Sequence, residues 1–237
     1  MIDKQLLLIV QATCEEEHIE EFNRWYNNHL PNLLQIPGYL WAQRYRGMEE
    51  PNQFVALYGI RGKEDLSNLL EWDGPNLHEI ARKEFAGWNQ LHGMSNVMLN
   101  VYEQIMGDPL RQPFLCSDGP INLTSTEPNP DYEISWNEWY SGSHVPNLLK
   151  IPGYIMAGRF RLLENVVTSK INTGPKYVAI YECSDNEVVA SLRIGSQMRK
   201  EAIEEFKIFE RDWAKHTRTA SRGFYQMVSK HFKWATD

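Results

Sequence analysis

Two histidines carry the clearest chemistry in this sequence, because each sits in the same setting. The first reads Trp25-Tyr26-Asn27-Asn28-His29-Leu30-Pro31-Asn32; the second reads Trp139-Tyr140-Ser141-Gly142-Ser143-His144-Val145-Pro146-Asn147. Neutral imidazole titrates near physiological pH and is suited to moving protons, and neighbouring aromatics provide a desolvated pocket edge. On this ground His29 is expected to be a general acid/base, with His144 doing the same in the second setting. The alternative is structural: each ring caps its helix end by bonding a backbone carbonyl, and the following proline enforces the exit. Repetition does not choose between the two, since a fold-critical cap would also occur twice.

Other residues gather around each His. Asn32 and Asn147 can donate to a substrate carbonyl or a developing oxyanion, or hold the turn that follows proline. Trp25, Tyr26 and Tyr39 are expected to line a cavity, with Trp139, Tyr140 and Tyr154 as their counterparts. Arg44 and Arg159 alternate with apolar neighbours on their strands, which suits a carboxylate-bearing ligand or an ion pair between sheets. No metal is expected, because His78 and His92 lack a ligand partner at helical spacing. There is no GxGxxG, P-loop or serine nucleophile elbow, so no cofactor is expected either.

These residues belong to a longer repeat. From each His onward the copies align without a gap through Ile36-Pro37-Gly38-Tyr39 and Ile151-Pro152-Gly153-Tyr154; before His144 the second copy holds one extra residue. A repeat this long is a domain rather than a solenoid unit. In the first copy, Gln5–Ala12 reads as a buried strand, and Thr13-Cys14-Glu15-Glu16 as a capping box. The helix that follows turns Ile19, Phe22, Tyr26 and Leu33 to one face and is expected to end or kink at Leu30-Pro31. Tyr39–Arg46 is a strand with Tyr39, Trp41, Gln43 and Tyr45 on one face. Phe54–Ile60 and Val97–Ile105 are further strands, separated by a helical region that breaks at Asp73-Gly74-Pro75. The order βαββαβ is ferredoxin-like.

The second copy repeats the plan. Its first strand lies within Phe114–Thr126, and Asn129-Pro130-Asp131 starts its helix. Strands follow at Ile155–Arg161, Tyr177–Tyr181 and Phe224–Val228, with a helical stretch from about Asn186 to Lys215. The Gly/Pro-rich segment 108–113 marks the linker, giving units 1–107 and 114–237. A lone unit would leave one sheet face bare, with Tyr39, Trp41 and Phe54 in water. The expected fold is therefore α+β: two ferredoxin-like βαββαβ units in one chain, packed sheet to sheet as a pseudo-twofold α+β barrel.

Composition narrows the function. The chain of 237 residues has a formal net charge of −7 with interspersed charges, and no basic footprint for nucleic acid. No apolar run is long enough to cross a bilayer, and the N-terminus lacks the marks of a signal peptide. Three cysteines without a CxxC give no disulfide framework. A cytoplasmic protein is expected, with a small hydrophobic or aromatic molecule as partner, neither nucleic acid nor membrane, and a homodimer of the fused unit as an open option.

Phe22-x-x-x-Tyr26-x-x-His29-x-Pro31 followed by Ile36-Pro37-Gly38 resembles the first-helix pattern of EthD-like proteins in the dimeric α+β barrel superfamily. The second copy fits from His144-Val145-Pro146 through Ile151-Pro152-Gly153, and the chain looks like a fused version of such a dimer. That superfamily includes cofactor-free monooxygenases, polyketide cyclases, lactone isomerases, haem enzymes and proteins without known activity, so the resemblance implies a fold more than a reaction. The function expected is a small cofactor-independent enzyme acting on an aromatic or polyketide-like carbonyl compound. It would work by His-mediated proton transfer (isomerase, cyclase or lyase) or by cofactor-free oxygenation. The alternative is a non-catalytic small-molecule-binding or stress-type barrel protein; a third, a haem protein, would be coloured.

Overall fold

A computed structural model describes residues 6–107, 118–164, 173–192 and 200–232. The first copy supplies β1 (Leu6–Cys14), α1 (Ile19–Leu33), β2 (Tyr39–Gly47), β3 (Gln53–Ile60), α2 (Leu66–Leu70), α3 (Glu79–Trp88) and β4 (Met94–Met106). The second supplies β5 (Ile121–Pro128), α4 (Glu133–Trp139), α5 (Val145–Leu148), β6 (Tyr154–Leu162), β7 (Tyr177–Cys183), α6 (Asn186–Leu192), α7 (Lys200–Ile208) and β8 (Thr217–Phe232). The expected linker, 108–113, lies outside the described residues.

All eight strands join one closed antiparallel barrel in the order β1-β3-β2-β8-β5-β7-β6-β4. Each copy contributes four strands in ferredoxin-like order. The two sets meet at both edges, where β2 pairs with β8 (Trp41 opposite Phe232, Gly47 opposite Tyr225) and β4 pairs with β6 (Tyr102 opposite Leu162). Closure removes the open edges that two separate sheets would present. The bare sheet faces become the barrel interior, packed with Trp41, Tyr45, Tyr102, Phe160, Tyr225 and aliphatic residues from both copies.

Three expectations about local structure are corrected. The face assignment of β2 fails at its start, because the β2–β3 register shifts between Tyr39 and Trp41. A bulge of this kind reverses the sides of the residues before it. Trp41 and Tyr45 point into the barrel, while Tyr39 and Phe54 join the core between sheet and helices. The capping box does not form: β1 runs through Thr13 to Cys14, and the first helical turn, Glu16–His18, has no side-chain cap. Helix α1 does not stop at Leu30-Pro31 but continues to Leu33 with Pro31 inside it, so His29 lies within the helix. In the second copy Asn129 does cap, its Oδ1 accepting from the Asp131 N–H at 3.0 Å.

The repeated Ile-Pro-Gly-Tyr is a tight turn that delivers the chain from helix to strand. The N–H of Tyr39 donates to Ile36 O and that of Tyr154 to Ile151 O, with glycine φ values of +109° and +100°. Proline then glycine at the two central positions is what such a turn requires. A Cβ at Gly38 would lie 2.8 Å from Asp65 Cγ, and one at Gly153 would overlap Val188. Gly153→Ala should therefore cost about 2 kcal/mol, read as a drop of several degrees in Tm. An unchanged melting curve would contradict the turn.

Candidate functional site

Each His lies between its own helix and the second helix of the same copy. His29 Nδ1 is 2.8 Å from Glu84 Oε2 on α3, and Asn32 Nδ2 donates to Glu84 Oε1 at 2.7 Å. The second copy repeats this to within 0.1 Å: His144 Nδ1 to Glu205 Oε2 is 2.8 Å, and Asn147 Nδ2 to Glu205 Oε1 is 2.6 Å. The helix-end cap is thus corrected, since among the described residues neither imidazole bonds a backbone carbonyl and both bond a buried carboxylate. His29 and Asn32 meet on one carboxylate because both sit on α1, three residues apart and on one side.

The extra residue before His144 does not displace it. The chain widens into a π-turn over Tyr140–His144, which takes up one residue without breaking the helix. Beyond it His144 regains the position held by His29. Trp25 stacks on His29 with ring centroids 4.0 Å apart and packs on Trp88; Trp139 lies 4.7 Å from His144 and stacks on Trp213.

A carboxylate can only accept, so each Nδ1 carries its hydrogen toward glutamate and each Nε2 is left as a base. Burial lowers the pKa of both histidines, against the opposing pull of the glutamates. Burial alone would raise the two glutamates, but hydrogen bonds from His and Asn bring them below the usual carboxylate value. The neutral state at pH 7 is therefore a neutral imidazole beside a carboxylate anion. This sets an acid response. Above the unfolded histidine value of 6.5 both states are neutral and the stabilisation is complete. As pH falls below 6.5 the unfolded chain takes up protons first, and stability declines toward the depressed folded values. Melting scans from neutral to mildly acidic pH should show Tm falling steadily; a flat or rising Tm would contradict the assignment.

The copies differ in the space beside the ring. Next to His29 the cavity is about 30 Å³, enclosed by Trp25, Tyr26, Tyr39, Tyr58, Trp72 and Trp88 among others. That holds a water or two. Next to His144 the cavity is about 400 Å³ and includes Tyr140, Tyr154, Tyr181, Glu205, Phe206 and Phe209, within the range of small-molecule sites. The floors also differ. In the first copy Leu8 (opposite Tyr58) and Val10 (opposite Leu99) form it. At the matching ladder positions the second copy has Asn122 (opposite Tyr181) and Thr124 (opposite Arg222). The doubled machinery thus faces an apolar floor once and a polar floor once.

The remaining candidates are distributed as follows. Trp25, Tyr26 and Tyr39 line the small cavity, and Tyr140 and Tyr154 line the large one. Trp139 backs His144, while Asn32 and Asn147 hold glutamates rather than turns. Arg44 and Arg159 line neither cavity and form no ion pair among the described residues. Arg44 is enclosed by the rings of Phe22, Tyr26 and Phe54 at 4.4–4.7 Å. Arg159 lies over Tyr140 and Trp136 and donates to Asn137 and to the π-turn residue Ser141. Glu84 and Glu205 were missed in the sequence, although a signal existed: Ala81-x-x-Glu84-Phe85 recurs as Ala202-x-x-Glu205-Phe206.

No helix among the described residues is long and apolar enough to cross a membrane. Among them, one group of side chains with metal-ligand spacing occurs, Glu15, Glu17 and His18, away from both cavities.

No protein-family model matches the chain, and no curated protein matches it in sequence. Solved structures do match along the whole length. An anthrone oxidase-like protein superposes with a TM-score of 0.68 at 13% identity, covering 99% of this chain and 97% of its own. A putative monooxygenase from Fusobacterium nucleatum gives 0.65 at 9% identity, covering 98% and 96%. A putative chlorite dismutase gives 0.58 at 12%, covering 95% of each. At such identities the likeness concerns architecture, and the chain has the fold of these full-length α+β barrel proteins.

Proposed function

We propose that the protein is a small enzyme whose active site is the second-copy cavity, with His144 as the general base. The observation that carries this reading is the pairing of a neutral, Glu205-oriented imidazole with an adjoining cavity of about 400 Å³. Glu205 fixes the tautomer so that Nε2 is the proton acceptor, and it stabilises the imidazolium that forms. Tyr140, Tyr154, Phe206 and Phe209 offer flat surfaces to an aromatic or polyketide-like carbonyl compound. Removal of a proton from carbon beside the carbonyl gives an enolate. Return of the proton at another carbon is isomerisation, and capture of the enolate by dioxygen is cofactor-free oxygenation. EthD-like kinship, suggested by the repeated His-x-Pro motif, agrees with this chemistry, as do the names of the structural neighbours, monooxygenase and anthrone oxidase-like.

A second reading, a binding protein without catalysis, draws on the first copy, where the same His–Glu–Asn set encloses almost no space. The test is deuterium exchange at carbon across aromatic and polyketide-like ketones. Exchange with the native chain and its loss in His144→Gln supports the enzyme; no exchange above that in buffer alone leaves the binding protein, and exchange unaffected by the substitution removes His144 as the base. A haem absorption band on purification would overturn His144 as a base.

A further inference from the structure

The two floors differ in what they ask of a ligand, and this extends the proposed function to a substrate class. Asn122 is 2% exposed and lines the large cavity. Its Oδ1 accepts from the Thr124 hydroxyl at 2.9 Å, which turns the amide Nδ2 the other way, and that nitrogen has no partner among the described residues. An unmet buried donor costs about 1–3 kcal/mol, a cost that a ligand acceptor would offset. Beside it, Arg222 stands across the ladder from Thr124 and also lines the cavity. Its guanidinium lies 5.7 Å from the Phe224 ring and pairs with no carboxylate among the described residues. The carboxylate that does line this cavity, Glu205, has one oxygen on His144 and the other on Asn147. An exposed cation, Arg222, and a closely packed amide, Asn122, thus border one void, and the first copy has Leu8, Val10 and Leu99 in the corresponding places.

We propose that the second cavity recognises a planar organic anion. Its charged oxygen, a carboxylate or an enolate, would lie between Asn122 Nδ2 and Arg222, and its ring against the aromatic wall. Resting on the reading of His144 as base, this holds the anionic end and presents the C–H to Nε2. Anion recognition by Arg and amide donors also favours the enolate that proton removal creates.

The test is calorimetric titration of the full chain with naphthoate, nitrophenolate and uncharged naphthamide. At least one anion should bind at least about tenfold more tightly than naphthamide, the effect of one charge-assisted hydrogen bond. Tighter naphthoate identifies a carboxylate ligand; tighter nitrophenolate identifies an enolate-like one. Arg222→Met should remove that preference and leave naphthamide binding within about twofold. Asn122→Leu, which copies the first-copy floor, should weaken the anion and not the amide, with both variants first checked for native melting. Equal binding of all three probes, no binding of any, or an anion preference that survives both substitutions overturns the proposal. Titration of His144→Gln keeps the two claims apart. Anion preference there, together with exchange that does not depend on His144, removes the catalytic reading alone.

Discussion

His144→Gln should lower turnover by roughly a hundred- to ten-thousand-fold, the usual worth of a positioned general base. Glutamine retains an amide donor toward Glu205, so the buried carboxylate keeps a partner and Tm should shift by little. What disappears is Nε2 as a proton acceptor. The loss should appear in kcat, with KM nearly constant, because the group acts in the transition state rather than in binding. His29→Gln should leave turnover unchanged: its ring adjoins only about 30 Å³, and what the change removes is the stack on Trp25, so any effect belongs to stability. Loss of turnover in His29→Gln with full activity in His144→Gln would sink the assignment to the second copy.

Glu84→Ala is expected to be the most damaging single change to stability. His29 and Glu84 side chains are 6% and 8% exposed, and removing the carboxylate leaves the His29 Nδ1–H and the Asn32 amide without an acceptor. Two buried neutral donors left without an acceptor cost about 1–3 kcal/mol each, which for a chain of this size lowers Tm on the order of 10 °C. The matching change Glu205→Ala should cost less, about 1–2 kcal/mol, because water in the adjoining cavity can satisfy the freed donors. His144 is already 15% exposed where His29 is 6%. Equal losses at the two glutamates, measured by thermal or urea unfolding, would show that the cavity does not relieve the second site.

The internal repeat made the architecture legible. Duplicated Ile-Pro-Gly-Tyr turns, helical spacing of Phe22 and Tyr26, and apolar strand runs are local signals, and together they imply two units that must hide their sheets. Local signals failed where a neighbour decided the outcome. The bulge after Tyr39 follows from pairing with β3, and it alone sends Tyr39 to the helix side. Leu30-Pro31 signals an end or a kink, yet α1 does not end there and runs two residues past Pro31.

The sequence by itself determined the fold class, the doubling, and the two histidines with their asparagines and aromatics, since all of these are repeated or periodic along the chain. Only the tertiary structure decided the rest. Glu84 stands 55 residues from His29 and Glu205 61 from His144, so each pair exists only once the second helix lies against the first. The structure also made the copies unequal. A cavity is the space left between elements, and Asn122, Thr124 and Arg222 become one polar floor only when β5 and β8 pair beneath His144.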